Sequence, residues 1–154
     1  MIKKNEKGIT LITLVITIVI LATITITLAT NAYDSTQLSR LTKLDNDIKT
    51  LNDRVAVYFV EHEQLPAYGN PYSKEKLKDV IEGLSQNDGD KYYTIDLSLL
   101  DNLSLNYGQD YLSFGGNSYI INEESHIIYH LEGISYKGEI FHTVGANSTV
   151  ILNY

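Results

Sequence analysis

The stretch KKNEKGITLITLVITIVILATITITLAT, residues 3–30, decides how this chain is organised. No residue between Ile9 and Tyr33 carries a charge, and β-branched residues dominate the stretch. As a helix, the segment from Ile9 to Ala29 would be about 32 Å long, which is close to the hydrocarbon thickness of a bilayer, about 30 Å. In lipid such a segment is helical because each backbone polar group must be paired within it. We therefore predict a membrane-spanning helix over residues 9–30.

The charges on either side of this segment predict its orientation. Lys3, Lys4 and Lys7 precede it, and Asp34 is the first charged residue after it. Positively charged flanks remain on the cytoplasmic side of a membrane. The expected location is a single-pass position in the cell membrane, with the N-terminus in the cytoplasm and the C-terminal domain outside.

Two ordinary interpretations of this N-terminus are a secretory signal peptide and a plain membrane anchor. A signal peptide has an apolar region of about 7–15 residues followed by a cleavage site with small residues. Here the apolar run is longer and a helical pattern continues beyond it, which disfavours a cleaved signal. The alternative function is therefore a single-pass anchor that carries an extracellular binding or enzymatic domain.

The residues around Gly8 indicate a third interpretation. The sequence KGITLITLVITIVIL, residues 7–21, resembles the processing site of type IV prepilins and type II secretion pseudopilins. The resemblance implies that residues 1–8 are a leader, that a prepilin peptidase cleaves between Gly8 and Ile9, and that Ile9 is then methylated. It also implies that the apolar run becomes the core of an extracellular filament or pseudopilus. The implied partners are other pilin or pseudopilin subunits, the peptidase, and an assembly ATPase with its membrane platform.

One position departs from the pattern of that family. The fifth residue after the cleavage site is usually glutamate, and here it is Thr13. Thr10, Thr13 and Thr17 lie on one helical face, where their hydroxyl groups could bond to a neighbouring helix. The missing carboxylate favours a minor subunit over a major one. The residues leave open whether the implied pilus or pseudopilus serves adhesion, DNA uptake or protein secretion.

The chain beyond the apolar run continues as an amphipathic helix. Neither Gly nor Pro occurs from Ile9 to Leu65, and apolar residues recur at spacings of three and four. The simplest prediction is one helix from Ile9 to about His62, and the alternative is two helices separated near residues 31–35. The expected apolar stripe comprises Leu38, Leu41, Leu44, Ile48, Leu51, Val55, Tyr58 and His62, whereas Asp45, Asp47, Lys49, Asp53 and Arg54 are expected mostly off it.

The C-terminal part has the pattern of a small sheet. We predict a loop at residues 66–71, a helix from Lys74 to Glu82 capped by Ser73, and strands in SYIIN (118–122), HIIYHLE (126–132) and EIFHT (139–143). GISYKG (133–138) is expected to link the last two strands, and the tail 144–154 to add an edge strand. The predicted fold class is α+β, in which a long N-terminal helix packs on a small antiparallel sheet, as in pilins, with a globular domain over residues 31–154.

Composition excludes some function classes. The net charge of −7 is a poor match to nucleic acid, and without cysteine the chain has neither disulfides nor thiolate metal ligands. The 12 tyrosines suit half-buried strands, or alternatively an adhesive aromatic surface.

No pattern indicates a catalytic residue or a cofactor. His126 and His130 are expected on one strand, where residues four apart are about 13 Å apart and cannot chelate one ion. His142 is expected on the partner strand. Asp88 and Asp90 beside Gly89 form a weak calcium candidate, because the full calcium-loop pattern is absent.

Overall fold

The computed structural model describes residues 6–109, 112 and 116–144, except for the side chains of residues 6–13 and 26–31. The chain forms two compact units, Met1–Thr36 and Gln37–Tyr154. The elements are α1 (Glu6–His62), β1 (Ala67–Ser73), α2 (Lys74–Lys78), β2 (Lys91–Ile95), a 3-10 turn (Leu97–Leu99), β3 (Tyr119–Asn122), β4 (Ile128–His130), β5 (Ile134–Tyr136) and β6 (Glu139–Phe141).

The prediction of one long helix is confirmed. α1 begins three residues before the predicted start and is unbroken across residues 31–35. Threonine side chains fit this helix by bonding to the preceding turn: Thr23 Oγ1 donates to the Ile20 carbonyl and Thr25 Oγ1 to the Leu21 carbonyl, both at 2.8 Å. The helix ends where Glu63 takes a left-handed φ of 55°.

The predicted membrane location is wrong. In the part of the chain that the structure describes, no helix combines the length and apolar character that a membrane crossing requires. Charged residues recur along α1 from Asp34 onward. The absence of such a helix among the described residues overturns the predicted single-pass location in the cell membrane. Of the predicted 9–30 segment, the structure describes the side chains of residues 14–25 only.

Within the unit Gln37–Tyr154, the second half of α1 packs against the sheet. The core of the predicted stripe is confirmed, since Leu41, Leu44, Ile48, Leu51 and Val55 are buried. The two ends of the stripe, Leu38 and His62, are exposed. The placement of Asp45 and Asp47 off the stripe is wrong, because both residues are buried.

The predicted antiparallel sheet is confirmed, with strand order β1-β2-β3-β4. Tyr119 and Ile121 of β3 join the cluster that includes the buried stripe of α1. Ile120 lies on the opposite face, in a second cluster with Leu77 of α2 and Ile81. β3 is therefore buried on both faces, which explains why the run Tyr119, Ile120 and Ile121 does not alternate between apolar and charged residues.

The segment 133–138 is not a simple link. It contains β5, which pairs with β6 in a two-stranded sheet, and Lys137 and Gly138 form the turn with φ of 50° and 86°. Two positive φ values in a two-residue hairpin turn match the twist of the paired strands. Lysine is an uncommon residue at such a position, so the turn has no strong sequence signal.

The segment after α1 also differs from the prediction. The expected loop at 66–71 is β1, an edge strand whose register with β2 shifts between Tyr68 and Tyr72. An edge strand tolerates Pro71 because one side of its backbone needs no sheet partner. α2 is capped by Ser73 as predicted but ends at Lys78 instead of Glu82, and Val80 is exposed. The predicted edge strand of the tail falls, apart from Val144, outside the described residues.

Candidate functional site

The apolar segment of α1, defined here as residues 14–25, has exposed side chains on every side of the helix. Its large apolar residues are each about half exposed, for example Leu14 at 56%, Ile18 at 57% and Leu21 at 58%. Covering a half-exposed side chain of this size with another protein would contribute roughly 1 kcal/mol. A run of such residues is typical of a surface that binds another apolar surface.

The predicted processing and assembly residues lie in or before α1. Lys7, Gly8 and Ile9 belong to the first turns of the helix, and Thr17 is exposed in the apolar segment. The side chains of Lys7, Ile9, Thr10 and Thr13 lie outside the described residues, as do Lys3 and Lys4 entirely. The shared face of Thr10, Thr13 and Thr17 therefore stays a prediction.

Sequence reasoning missed Asp47, a buried carboxylate that accepts several hydrogen bonds within the second unit. Its carboxylate is 1% exposed and accepts from the Asn106 backbone N–H at 2.9 and 3.0 Å, and from the Asn106 side-chain amide at 2.9 Å. The Tyr107 backbone N–H and the Tyr119 hydroxyl donate to it at 2.8 Å each. A sequence signal existed, because Asp47 follows Leu44 by three and precedes Leu51 by four and so lies within the apolar stripe.

The Asp47 carboxylate perturbs the tyrosines around it. Burial, followed by the hydrogen bond to Asp47, raises the pKa of the Tyr119 hydroxyl far above its ordinary value. Burial also raises the pKa of Tyr107. Both hydroxyl groups therefore stay protonated and serve as hydrogen-bond donors.

Asp88, on the other face of the sheet, is a second buried carboxylate that accepts several hydrogen bonds. Its buried carboxylate accepts from the Tyr92 hydroxyl at 3.0 Å, from the Tyr129 hydroxyl at 2.6 Å, and from the Ser125 hydroxyl. Burial, with this bonding, raises the pKa of both tyrosines. Asp90 is exposed. Among the described residues, no group of three or more His, Cys, Asp or Glu is placed to hold a metal ion.

The histidines are not arranged as the sequence predicted. His126 lies in the turn before β4, with φ of 57°, so it does not share a strand with His130. His130 is 1% exposed, and its ring lies 5.1 Å from the Tyr119 ring and 5.3 Å from the Tyr107 ring. Burial, followed by the nearby His142, lowers the pKa of His130 to about 4.

A cavity of about 490 Å³ lies beside His130. Its lining includes Arg40, Tyr107, Asn117, Glu132, Gly133, Ile134, Ser135 and Ile140. The buried polar groups at this end of the unit are already bonded to protein atoms, and every buried side-chain nitrogen or oxygen of the described residues has a partner. The buried carboxylates and tyrosines thus stabilise the fold, whereas the apolar segment is an extended run of apolar side chains that stays exposed in the described part of the chain.

Comparisons with known proteins returned no similarity. No protein-family model matches the chain, and no curated protein and no solved structure matches it.

Proposed function

We propose that this chain is a pilin-like structural subunit that assembles with copies of itself, or with related subunits, through the apolar segment of α1. One observation carries the proposal: the described side chains of residues 14–25 are exposed around the whole helix, although most are apolar. Residues on all sides of a helix are covered when several other chains surround it. A bundle of equivalent helices in a filament provides such an environment.

The second half of α1 has a different role in this proposal, because its apolar residues pack within its own unit. Its apolar stripe is covered by the chain's own sheet, through contacts such as those of Leu44 and Leu51 in one cluster with Ile121. This part of the helix therefore needs no other subunit to bury its stripe. Assembly is assigned to the first half and folding to the second.

Processing before assembly belongs to the proposal. By resemblance to prepilins, a prepilin peptidase would cleave between Gly8 and Ile9 and release the charged leader. An assembly ATPase and platform are the further partners that the resemblance implies. Thr13 in place of the usual glutamate favours a minor subunit in this scheme.

The absence of cysteine makes a direct test of assembly possible. A single Ile18→Cys variant, produced in the native cells, places a thiol in the apolar segment. We expect oxidation or a short bifunctional maleimide to cross-link this variant to neighbouring subunits, seen as dimers and larger species on a denaturing gel. Asn52→Cys, which introduces a thiol at an exposed position of the second unit, is the matched control and should cross-link much less.

Two results would contradict assembly through the apolar segment. One is a monomer at both positions, and the other is equal cross-linking at both. Adding Leu21→Asp to the Ile18→Cys variant should abolish the cross-linked species, because a carboxylate in an apolar helix contact would be buried without a partner.

Processing is tested by the intact mass and N-terminal sequence of the protein from its native cells. We expect a chain that begins at Ile9, and a Gly8→Val variant that keeps its leader. Asn5→Val is the matched control, since it alters the leader and spares the Gly8–Ile9 bond. A wild-type chain that still begins at Met1 would refute the prepilin interpretation.

A further inference from the structure

Two histidines join the β5–β6 hairpin to the edge of the four-stranded sheet. His130 is the last residue of β4, and His142 directly follows β6. The His130 backbone N–H donates to the His142 carbonyl at 2.7 Å. In return, the His142 Nδ1–H donates to the His130 carbonyl at 2.9 Å. Both residues are buried, so water does not replace these bonds at neutral pH.

The hydrogen bonds of the His130 ring require its neutral form. Nε2 lies 2.9 Å from the Asn117 Oδ1 and must donate to it, since an amide oxygen is an acceptor. Nδ1 then carries no proton and accepts from the Gly133 backbone N–H at 3.1 Å. A second proton on the ring would occupy Nδ1 and face the Gly133 N–H, so that two donors would oppose each other.

Gly133 allows the turn between β4 and β5 to pack closely against the hairpin and His142. Its φ is +70°, and a Cβ built there would lie 2.5 Å from Ile140 Cγ2 and 2.9 Å from His142 Cε1. The turn between β4 and β5 is therefore packed against both the hairpin and the second histidine. Loss of the Gly133–His130 bond would loosen this contact directly.

We propose that His130, His142 and Gly133 form an acid-sensitive clasp, which holds the β5–β6 hairpin against β4 and releases it when the His130 ring takes up a proton. The clasp lies entirely within the second unit and is independent of the proposed assembly.

The surroundings of His130 disfavour its charged form. It is covered by the Tyr107 and Tyr119 rings and lies near His142, while the Asp47 carboxylate of α1 acts in the opposite direction by favouring the cation. Arg40 and Glu132 line the adjacent cavity and are exposed. Burial and His142 prevail over Asp47, because the pKa of His130 is lowered to about 4.

The hairpin is the element that such a change would release first. A two-stranded sheet is marginal by itself, whereas β2 and β3 are paired on both sides. Among the described residues, its other contacts include the burial of Ile134 and Phe141 in the core and the hydrogen bond from the Lys137 N–H to the Gln37 Oε1 at 3.1 Å. Opening would expose the apolar side chains of Ile134 and Phe141.

The direction of the pH effect follows from linkage. The closed form binds the His130 proton more weakly than the open form, whose pKa is the ordinary 6.5. The stability of the clasp is therefore fully present above about pH 6.5 and is lost as the pH falls towards 4. Between pH 7.5 and pH 5, the opening equilibrium should rise roughly 30-fold.

Amide hydrogen exchange of the full-length chain, read by mass spectrometry and corrected for intrinsic rates, tests the clasp. The peptide covering residues 131–142 should lose protection roughly 30-fold between pH 7.5 and pH 5, while the peptide covering β3 loses far less. His130→Gln should remove this difference between the two pH values. His62→Gln, an exposed histidine of α1, is the matched control and should retain it.

Three results would overturn the clasp: hairpin protection that does not change with pH in the wild type, an unchanged pH response in His130→Gln, and equal loss of protection in the hairpin and β3. If the variant does not fold, nitrogen NMR of the wild-type imidazoles decides. The His130 ring should carry its proton on Nε2 at neutral pH, and hairpin protection should fall in step with its titration. A proton on Nδ1 at neutral pH, or a loss of protection at a different pH, would refute the proposal.

Discussion

The two halves of α1 have similar helical backbones but opposite surroundings. Residues 14–25 expose apolar side chains on every side, and threonines such as Thr25 bond to the helix's own carbonyls. Residues 41–55 bury one stripe against the sheet and include Asp47, a buried carboxylate. The first half is stabilised by bonding within the helix and, in the proposed filament, would be covered by neighbouring subunits, whereas the second half depends on contacts within its own unit. A helix can thus be continuous while the forces that stabilise it change along its length.

The largest effect is expected from Asp47→Ala. The substitution would leave the Asn106 and Tyr107 backbone N–H groups and the buried Tyr119 hydroxyl without their acceptor, at a cost of about 3–5 kcal/mol in the free energy of unfolding. Chemical denaturation measures this loss. Asp53→Ala, at an exposed position of the same helix, should change stability by less than about 0.5 kcal/mol. Similar losses in both variants would contradict the central role of Asp47.

A paired truncation tests the comparison directly. Leu51→Ala removes a fully buried side chain from the second half and should cost about 2–5 kcal/mol. Leu21→Ala removes a side chain that is 58% exposed, and should leave the denaturation midpoint of the unassembled chain nearly unchanged. Under assembling conditions, Leu21→Ala should weaken cross-linking through Ile18→Cys instead. Equal destabilisation of the unassembled chain would show that the first half is packed on its own protein.

A smaller effect is expected from Tyr119→Phe. This variant keeps the buried ring and removes one donor, while the Asp47 carboxylate retains its bonds to Asn106 and Tyr107. The expected loss is about 1 kcal/mol. Tyr68→Phe at an exposed position of β1 is the control and should be neutral. A loss as large as that of Asp47→Ala would mean that the Tyr119 hydrogen bond alone accounts for the stability that the Asp47 carboxylate contributes.

The smallest effect is expected from Thr25→Val. The hydroxyl of Thr25 bonds to a carbonyl that already belongs to the helix, so its loss should change stability by less than about 0.5 kcal/mol. Circular dichroism of the unassembled chain should show the same helix content as the wild type. A marked fall in helix content would indicate that threonine bonding, and not the backbone alone, maintains this part of α1.

Sequence reasoning recovered the elements whose signals are local. The absence of Gly and Pro identified α1, and the apolar run in SYIIN identified β3. It failed where the signal was weak or misleading. Because Gly69 and Pro71 are typical of loops, the edge strand β1 was predicted as a loop. Because Lys-Gly is a weak turn signal, the β5–β6 hairpin was not predicted. The predicted single-pass location was wrong because an uncharged stretch was treated as sufficient evidence, whereas no helix of the described residues has the length and apolar character of a membrane span.

The continuous helix and the central strand could be derived from the residue pattern, because both depend on residues that are neighbours along the chain. The burial of Asp47 could not, because its donors at Asn106 and Tyr119 are 59 and 72 residues away and are brought to it by the fold. The tertiary structure likewise decided that His130 would be buried and neutral, joined to Gly133 and His142. A carboxylate or an imidazole has no fixed role in a sequence. Burial and the donors and acceptors that the fold brings to it determine its charge and its bonds.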